Sequence, residues 1–153
     1  MNDLAGRTVA DRYHIQDLIG QNNLFQVYRA YDSRRSTYVV VKFLRSDLAA
    51  DPVFLHRLRR EAAALKSLEH PHIVFCHGLE QTRDQAFFVM PYIPSTCLER
   101  YLRQRASPLS LAQALLILQP VAAALHHAHQ QGLWHGDVQP LNVLLEPSGR
   151  VFL

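Results

Sequence analysis

Between Tyr13 and Leu44 apolar residues gather in three short runs, Tyr13 to Ile19, Phe25 to Tyr31 and Tyr38 to Leu44, separated by polar clusters. Each run is rich in β-branched and aromatic residues, which predicts strands. The clusters between them, Gly20-Gln21-Asn22-Asn23 and Asp32-Ser33-Arg34-Arg35-Ser36, are built from residues that tolerate turn geometry, so an antiparallel meander is expected.

The period then lengthens. Phe54, Leu58, Leu65 and Leu68 recur at helical spacing behind Asp51, a plausible N-cap, and Pro52, suited to the first helical position. Glu61 falls inside that stripe, where a carboxylate is costly unless a cation meets it. Lys42 closes the apolar run Val39-Val40-Val41 and faces the converse problem, so a Lys42–Glu61 ion pair is expected. The commoner situation for an arbitrary pair of this kind is a lysine that snorkels and a glutamate at the edge of its stripe.

Further along, strands are expected around Phe75 to Leu79 and over Ala86 to Met90, joined by a turn at Thr82 to Gln85. A short helix near Leu98 to Arg105 precedes a longer one, with Ser110 as its cap, Gly132 as its stop and Pro120 as a bend. The longer helix is apolar almost all round, the signature of burial on every side. Two short strands, Val143 to Leu145 and Val151 to Leu153, flank the turn Glu146-Pro147-Ser148-Gly149.

Composition narrows the class. The chain has 153 residues, 48% hydrophobic and 19% charged, as in a soluble globular domain with a real core. Its net charge of +3 and pI near 9.1 come from scattered Arg and Lys, so no nucleic-acid partner is implied. Cys76 and Cys97 have neither disulfide-framework nor metal-ligand spacing, which fits a reducing, cytoplasmic setting. Met1 to Ala10 has no signal-peptide core, and Leu111 to Leu125 is interrupted by Gln113, Gln119 and Pro120, so no membrane segment is expected. His126, His127 and His129 sit where a helix C-terminus favours histidine, and no metal site is assigned to them.

One series of motifs carries chemistry. Gly20, Val39-Val40-Val41-Lys42, Glu61 in a helix, His70-Pro71-His72-Ile73-Val74 and His135-Gly136-Asp137-Val138-Gln139-Pro140-Leu141-Asn142 occur in this order. In that order and at those distances the chain resembles the protein kinase catalytic domain, most closely the bacterial serine/threonine kinases of eukaryotic type. The resemblance runs from Asp11 to Leu153. It implies an α+β, kinase-like fold: a tail over 1–10, an N-lobe over 11–92 with an antiparallel sheet and one main helix, and a partial helical C-lobe over 93–153.

It also implies roles. Lys42 would hold the α- and β-phosphates of ATP, Glu61 would orient Lys42, Asp137 would take or orient the substrate hydroxyl proton, and Asn142 would ligate Mg2+. Adenine would lie between Ile19, Val27 and Val40 above and Leu144 below. Pro91, Tyr92 and Ile93 would form the hinge, Met90 would guard the back of the pocket, and Gly20 would open the glycine loop. The partner implied is a protein substrate.

The departures are specific. Asn22 and Phe25 stand at the second and third glycine positions, Val40 replaces a smaller residue, Gly136 replaces an arginine and Gln139 a lysine. Phe25 and Val40 are expected to crowd the nucleotide, whereas Asn22 can adopt a left-handed conformation. The Asp-Phe-Gly motif that should follow Arg150-Val151-Phe152-Leu153 is absent, so the chain as written reads as truncated and is expected to be inactive alone. Two alternatives are a short pseudokinase that binds a protein partner and a small-molecule phosphotransferase of the aminoglycoside or choline kinase type. The His70 to Val74 segment and the Met90-Pro91-Tyr92 hinge favour the protein kinases.

Overall fold

The computed structural model describes residues 4–153. They fall into two compact units, one running to Ser67 and adding Phe75–Tyr92, the other made of Leu68–Val74 and Ile93–Leu153.

The first unit is built on a six-stranded antiparallel sheet. Its strands are β1 (Thr8–Val9), β2 (Tyr13–Gln21), β3 (Phe25–Asp32), β4 (Thr37–Leu44), β5 (Leu79–Gln81) and β6 (Ala86–Pro91), in the order β1-β2-β3-β4-β6-β5. The expected meander is present. The strand foreseen over Phe75 to Leu79 begins only at Leu79; before it, the His77 N–H donates to the Val89 carbonyl at 2.9 Å. The expected tail over 1–10 instead adds β1 and places Leu4 and Val9 in the core; its residues 1–3 lie outside the described residues.

One face of the sheet is the core proper, with Tyr13, Tyr28, Val39, Val41, Phe87 and Val89 almost fully buried. Edge-on ring contacts, Tyr13 with Phe87 and Tyr28 with Phe43, both at 5.9 Å, fix its geometry. The other face carries the cross-strand sets Val27↔Lys42↔Phe88 and Val40↔Met90, because directly opposed residues share a side.

Helices α1 (Ser46–Ala49) and α2 (Pro52–Lys66) follow β4. Asp51 caps α2 as the sequence suggests, accepting from the Val53 and Phe54 N–H groups at 2.9 and 3.1 Å. The packed stripe differs from the expected one. Leu55 and Ala62 are buried, with Leu58 and Phe54 beside them, whereas Leu65 is exposed and Leu68 lies past the helix end.

The second unit contains a three-stranded sheet, β7 (Thr96–Cys97), β8 (Leu144–Leu145) and β9 (Val151–Phe152), with α3 (Leu98–Arg103) and α4 (Leu111–Gln130). A capping box starts α4, in which the Ser110 hydroxyl accepts from the Gln113 N–H and the Gln113 side chain accepts from the Ser110 N–H. Gly132, at φ +72°, ends the helix with its N–H on the His129 carbonyl at 2.9 Å. The β8–β9 turn is closed by a Glu146–Arg150 fork at 2.6 and 2.9 Å that, with Ser148, pulls the Glu146 carboxyl down to about 2.

Burial of α4 on every side is not what the structure shows. Val121, Ala124 and Ala128 are buried, in a stripe whose Val121 packs with Leu98, Val143 and Val151, while Leu111, Leu116 and Leu118 are 78%, 69% and 56% exposed. An all-apolar helix can bury only the faces that have neighbours, and the described elements cover one. By length and composition α4 could also cross a bilayer. Its capping box, its internal Pro120 and its packed stripe are equally those of a domain helix.

Candidate active site

In the first unit the candidate residues lie on the sheet face that bears Lys42. Val27, Val40, Lys42 and Met90 are half-buried there, while their neighbours on the opposite face are fully buried, so this surface stays open to a ligand. Gly20 lies across from Val27, and a Cβ there would meet the Val27 Cβ at 3.8 Å, an ordinary contact. The sheet therefore accepts a side chain at Gly20, and packing does not demand glycine. Ile19 is 49% exposed, and Tyr92 is tied to the start of β4 by its N–H on the Tyr38 carbonyl at 3.3 Å.

Lys42 makes no hydrogen bond or ion pair among the described residues. Burial lowers its pKa below the ordinary 10.5, an effect partly offset by the Cys76 thiol. An ammonium held this way is costly until an anion reaches it. The cost is complete below the lowered folded value and fades as pH rises toward 10.5, so it destabilises the fold throughout the neutral range. Lys42→Met is accordingly expected to raise stability by about 1 kcal/mol in the absence of ligand, checked by urea unfolding at pH 7. A lower unfolding midpoint would show that Lys42 already has a compensating partner.

The expected Lys42–Glu61 pair is absent. Glu61 is half-exposed and accepts from Arg57 Nε at 3.0 Å, one helical turn back. Helix phase explains this. With Leu55, Leu58 and Ala62 turned to the sheet, Glu61 points to the solvent side, and pairing with Arg57 avoids stripping water from the carboxylate. Ala62 packs with Cys76 and Phe88, the cross-strand neighbour of Lys42, and the Phe25 ring meets Phe88 edge-on at 5.9 Å. The sequence does carry the signal for the alternative pair, in the Arg57-x-x-x-Glu61 spacing.

At the β2–β3 turn Phe25 directs its ring toward Phe88 and the α2 side of the sheet. Asn22 does not take the left-handed conformation, since its φ is not positive. Instead its side-chain carbonyl accepts from the Leu24 and Phe25 N–H groups at 2.9 and 2.8 Å.

In the second unit the candidate residues lie on an exposed loop. Gly136, at φ +73°, turns the chain into it, and a 3-10 turn over Pro140–Asn142 closes it. Gln139 Nε2 donates to both Asp137 carboxylate oxygens at 2.8 Å, and Asn142 Nδ2 donates to Asp137 Oδ2 and to its backbone carbonyl, both at 2.9 Å. This leaves the Asn142 side-chain carbonyl as a hard oxygen donor beside the Asp137 side chain, a fit for Mg2+. Leu144 follows on β8 and is half-buried, and Ile93 starts the unit. The structure thus joins Asp137, Gln139 and Asn142 directly. Gln139 was legible in the sequence only as a missing lysine, not as the carboxylate's donor.

The protein kinase domain profile matches residues 13–153. Among curated relatives, the chain is 36% identical over 148 residues to the serine/threonine-protein kinase PrkC of Bacillus subtilis and 38% over 156 residues to PknA of Mycobacterium tuberculosis. These alignments cover 97% and 99% of this chain but 23% and 36% of the relatives, so the chain spans roughly a quarter to a third of their length. Among solved structures, the Mycobacterium tuberculosis PknI kinase domain matches with a TM-score of 0.83 at 31% identity, covering 97% of this chain and 60% of that one. Ordered motifs, strand order and these likenesses agree: the chain belongs to the protein kinase domain family, with bacterial serine/threonine kinases as its relatives.

Proposed function

We propose that these residues form the nucleotide-binding and catalytic-loop portion of a cytoplasmic kinase that uses ATP and Mg2+ to phosphorylate serine or threonine on proteins. The observation that carries the reading is Lys42, a half-buried ammonium with no anion among the described residues, on a partly exposed apolar face. A nucleotide supplies what both features lack: an apolar base for Val27, Val40 and Met90, and phosphate charge for Lys42. ATP so bound supplies the transferable phosphoryl group.

On this reading Lys42 holds phosphate oxygens, Asn142 offers its side-chain carbonyl to Mg2+, and Asp137 receives the proton of the attacking hydroxyl. Gln139 holds the Asp137 carboxylate in one orientation without neutralising it. Glu61 orients Lys42 only if α2 turns about its axis and Glu61 exchanges Arg57 for Lys42, so that role belongs to a conformation other than this one.

The Asp-Phe-Gly carboxylate on which the family relies for metal binding is not among these 153 residues, and a polypeptide limited to them is expected not to transfer phosphate. The full-length protein with radiolabelled ATP and a protein substrate is the test. Transfer that requires Mg2+ and falls to background in Lys42→Met is expected; transfer that persists in that variant would overturn the reading.

A further inference from the structure

We propose that Asn22 is a built-in competitor for the nucleotide's phosphates, its side-chain carbonyl occupying two backbone N–H groups that a phosphate oxygen would otherwise take. The inference rests on the nucleotide reading above and adds a means by which the affinity of that site is set.

The tip of the β2–β3 hairpin has no residue at positive φ from Gln21 to Phe25, so backbone freedom is not what turns it. Backbone and Arg45 hydrogen bonds hold the turn, and a side chain caps it. The Leu24 and Phe25 N–H groups converge on the single Asn22 carbonyl oxygen at 2.9 and 2.8 Å, while the Asn22 N–H donates to the Phe25 carbonyl at 2.9 Å. Consecutive backbone N–H groups aimed at one acceptor form the arrangement that binds an oxyanion. Here a neutral amide oxygen fills it.

Two further restraints hold the tip in this state. The Arg45 N–H donates to the Leu24 carbonyl at 3.0 Å and Arg45 Nη1 to the Asn23 carbonyl at 3.2 Å, with the guanidinium forked on Asp47 at 3.1 and 3.0 Å. From the other side, the Phe25 ring is seated against Phe88. The N–H pair is therefore preset, and the Asn22 side chain is its one movable occupant.

A phosphate oxygen is the stronger acceptor, but it must first displace two made bonds. Removing the amide should therefore tighten phosphate-bearing ligands by about tenfold, from roughly half to one decade for each bond no longer broken. A ligand without phosphate should be indifferent.

The test is calorimetric titration of the full-length protein, wild type against Asn22→Gly and Asn22→Ala, with ADP, ATP and adenosine. Asn22→Ala removes the carbonyl without adding glycine's backbone freedom, so it separates competition from loop flexibility. The expected result is about tenfold tighter ADP and ATP binding in both variants with adenosine unchanged. If ATP and adenosine bind but neither variant tightens ATP, or if adenosine gains as much as ATP, the competition is refuted and the nucleotide reading stands. If no form binds any of the three, both fall together.

Discussion

Asp137→Ala in the full-length protein is expected to lower the rate of phosphoryl transfer by on the order of 10³-fold, the scale of a positioned general base. The structure gives the reason in this chain's own atoms. Three donated hydrogen bonds, two from Gln139 Nε2 and one from Asn142 Nδ2, fix the Asp137 carboxylate, and Asn142 also ties the Asp137 backbone carbonyl. All the donors are neutral amides, so they orient the carboxylate without bringing a countercharge to it. Asp137→Asn preserves size but replaces one accepting oxygen with an amide donor and cannot take the proton, and should lose nearly as much. Steady-state transfer to a protein substrate, measured beside ATP binding, checks this. The rate should collapse while ATP affinity holds, and a loss of less than about tenfold would remove Asp137 from the chemistry.

The largest expected effect on stability lies away from the site. Asp32→Ala should cost on the order of 3 kcal/mol, because it leaves a largely buried guanidinium without its anion. Arg12 Nε and Nη2 each donate to the fully buried Asp32 carboxylate at 2.7 Å, and the Arg34 and Arg35 N–H groups add bonds at 3.0 and 3.3 Å. That one carboxylate joins the β1–β2 corner to the β3–β4 turn, and the Arg12 guanidinium also lies 4.8 Å from the centre of the Tyr13 ring. Urea unfolding of the single and double variants is the measurement. Arg12→Met with Asp32→Leu should recover part of the loss, and a cost below about 1 kcal/mol for Asp32→Ala would show that the corner is held by other contacts.

The same pair sets a pH dependence. The hydrogen bond from Arg12, together with the Arg34 and Arg35 N–H groups, holds the Asp32 carboxyl below the ordinary 3.8 against the opposing effect of burial. A carboxyl lowered by folding contributes stability that is complete above its unfolded value and is lost as pH falls through the folded one. The Asp32 contribution should thus be flat across neutral pH and disappear in acid, below pH 3.8.

The sequence by itself determined the elements and the chemistry they could carry. The β-branched and aromatic runs between Tyr13 and Leu44, the Asp51-Pro52 and Ser110 starts and the Gly132 stop are local signals, set by backbone sterics and capping within a few residues, and the structure reproduces them. The motif series likewise needs only order and spacing, so the family was legible without coordinates. Partner choice was not. Whether Glu61 meets Lys42 or Arg57 depends on the rotational phase of α2, which Leu55, Leu58 and Ala62 fix by packing against other elements. Arg12 and Asp32 are twenty residues apart with nothing local to join them. Which residues share a face, and hence which charge is left without a partner, is decided by long-range packing, and that is why folding buries Lys42 with no ion-pair partner among the described residues.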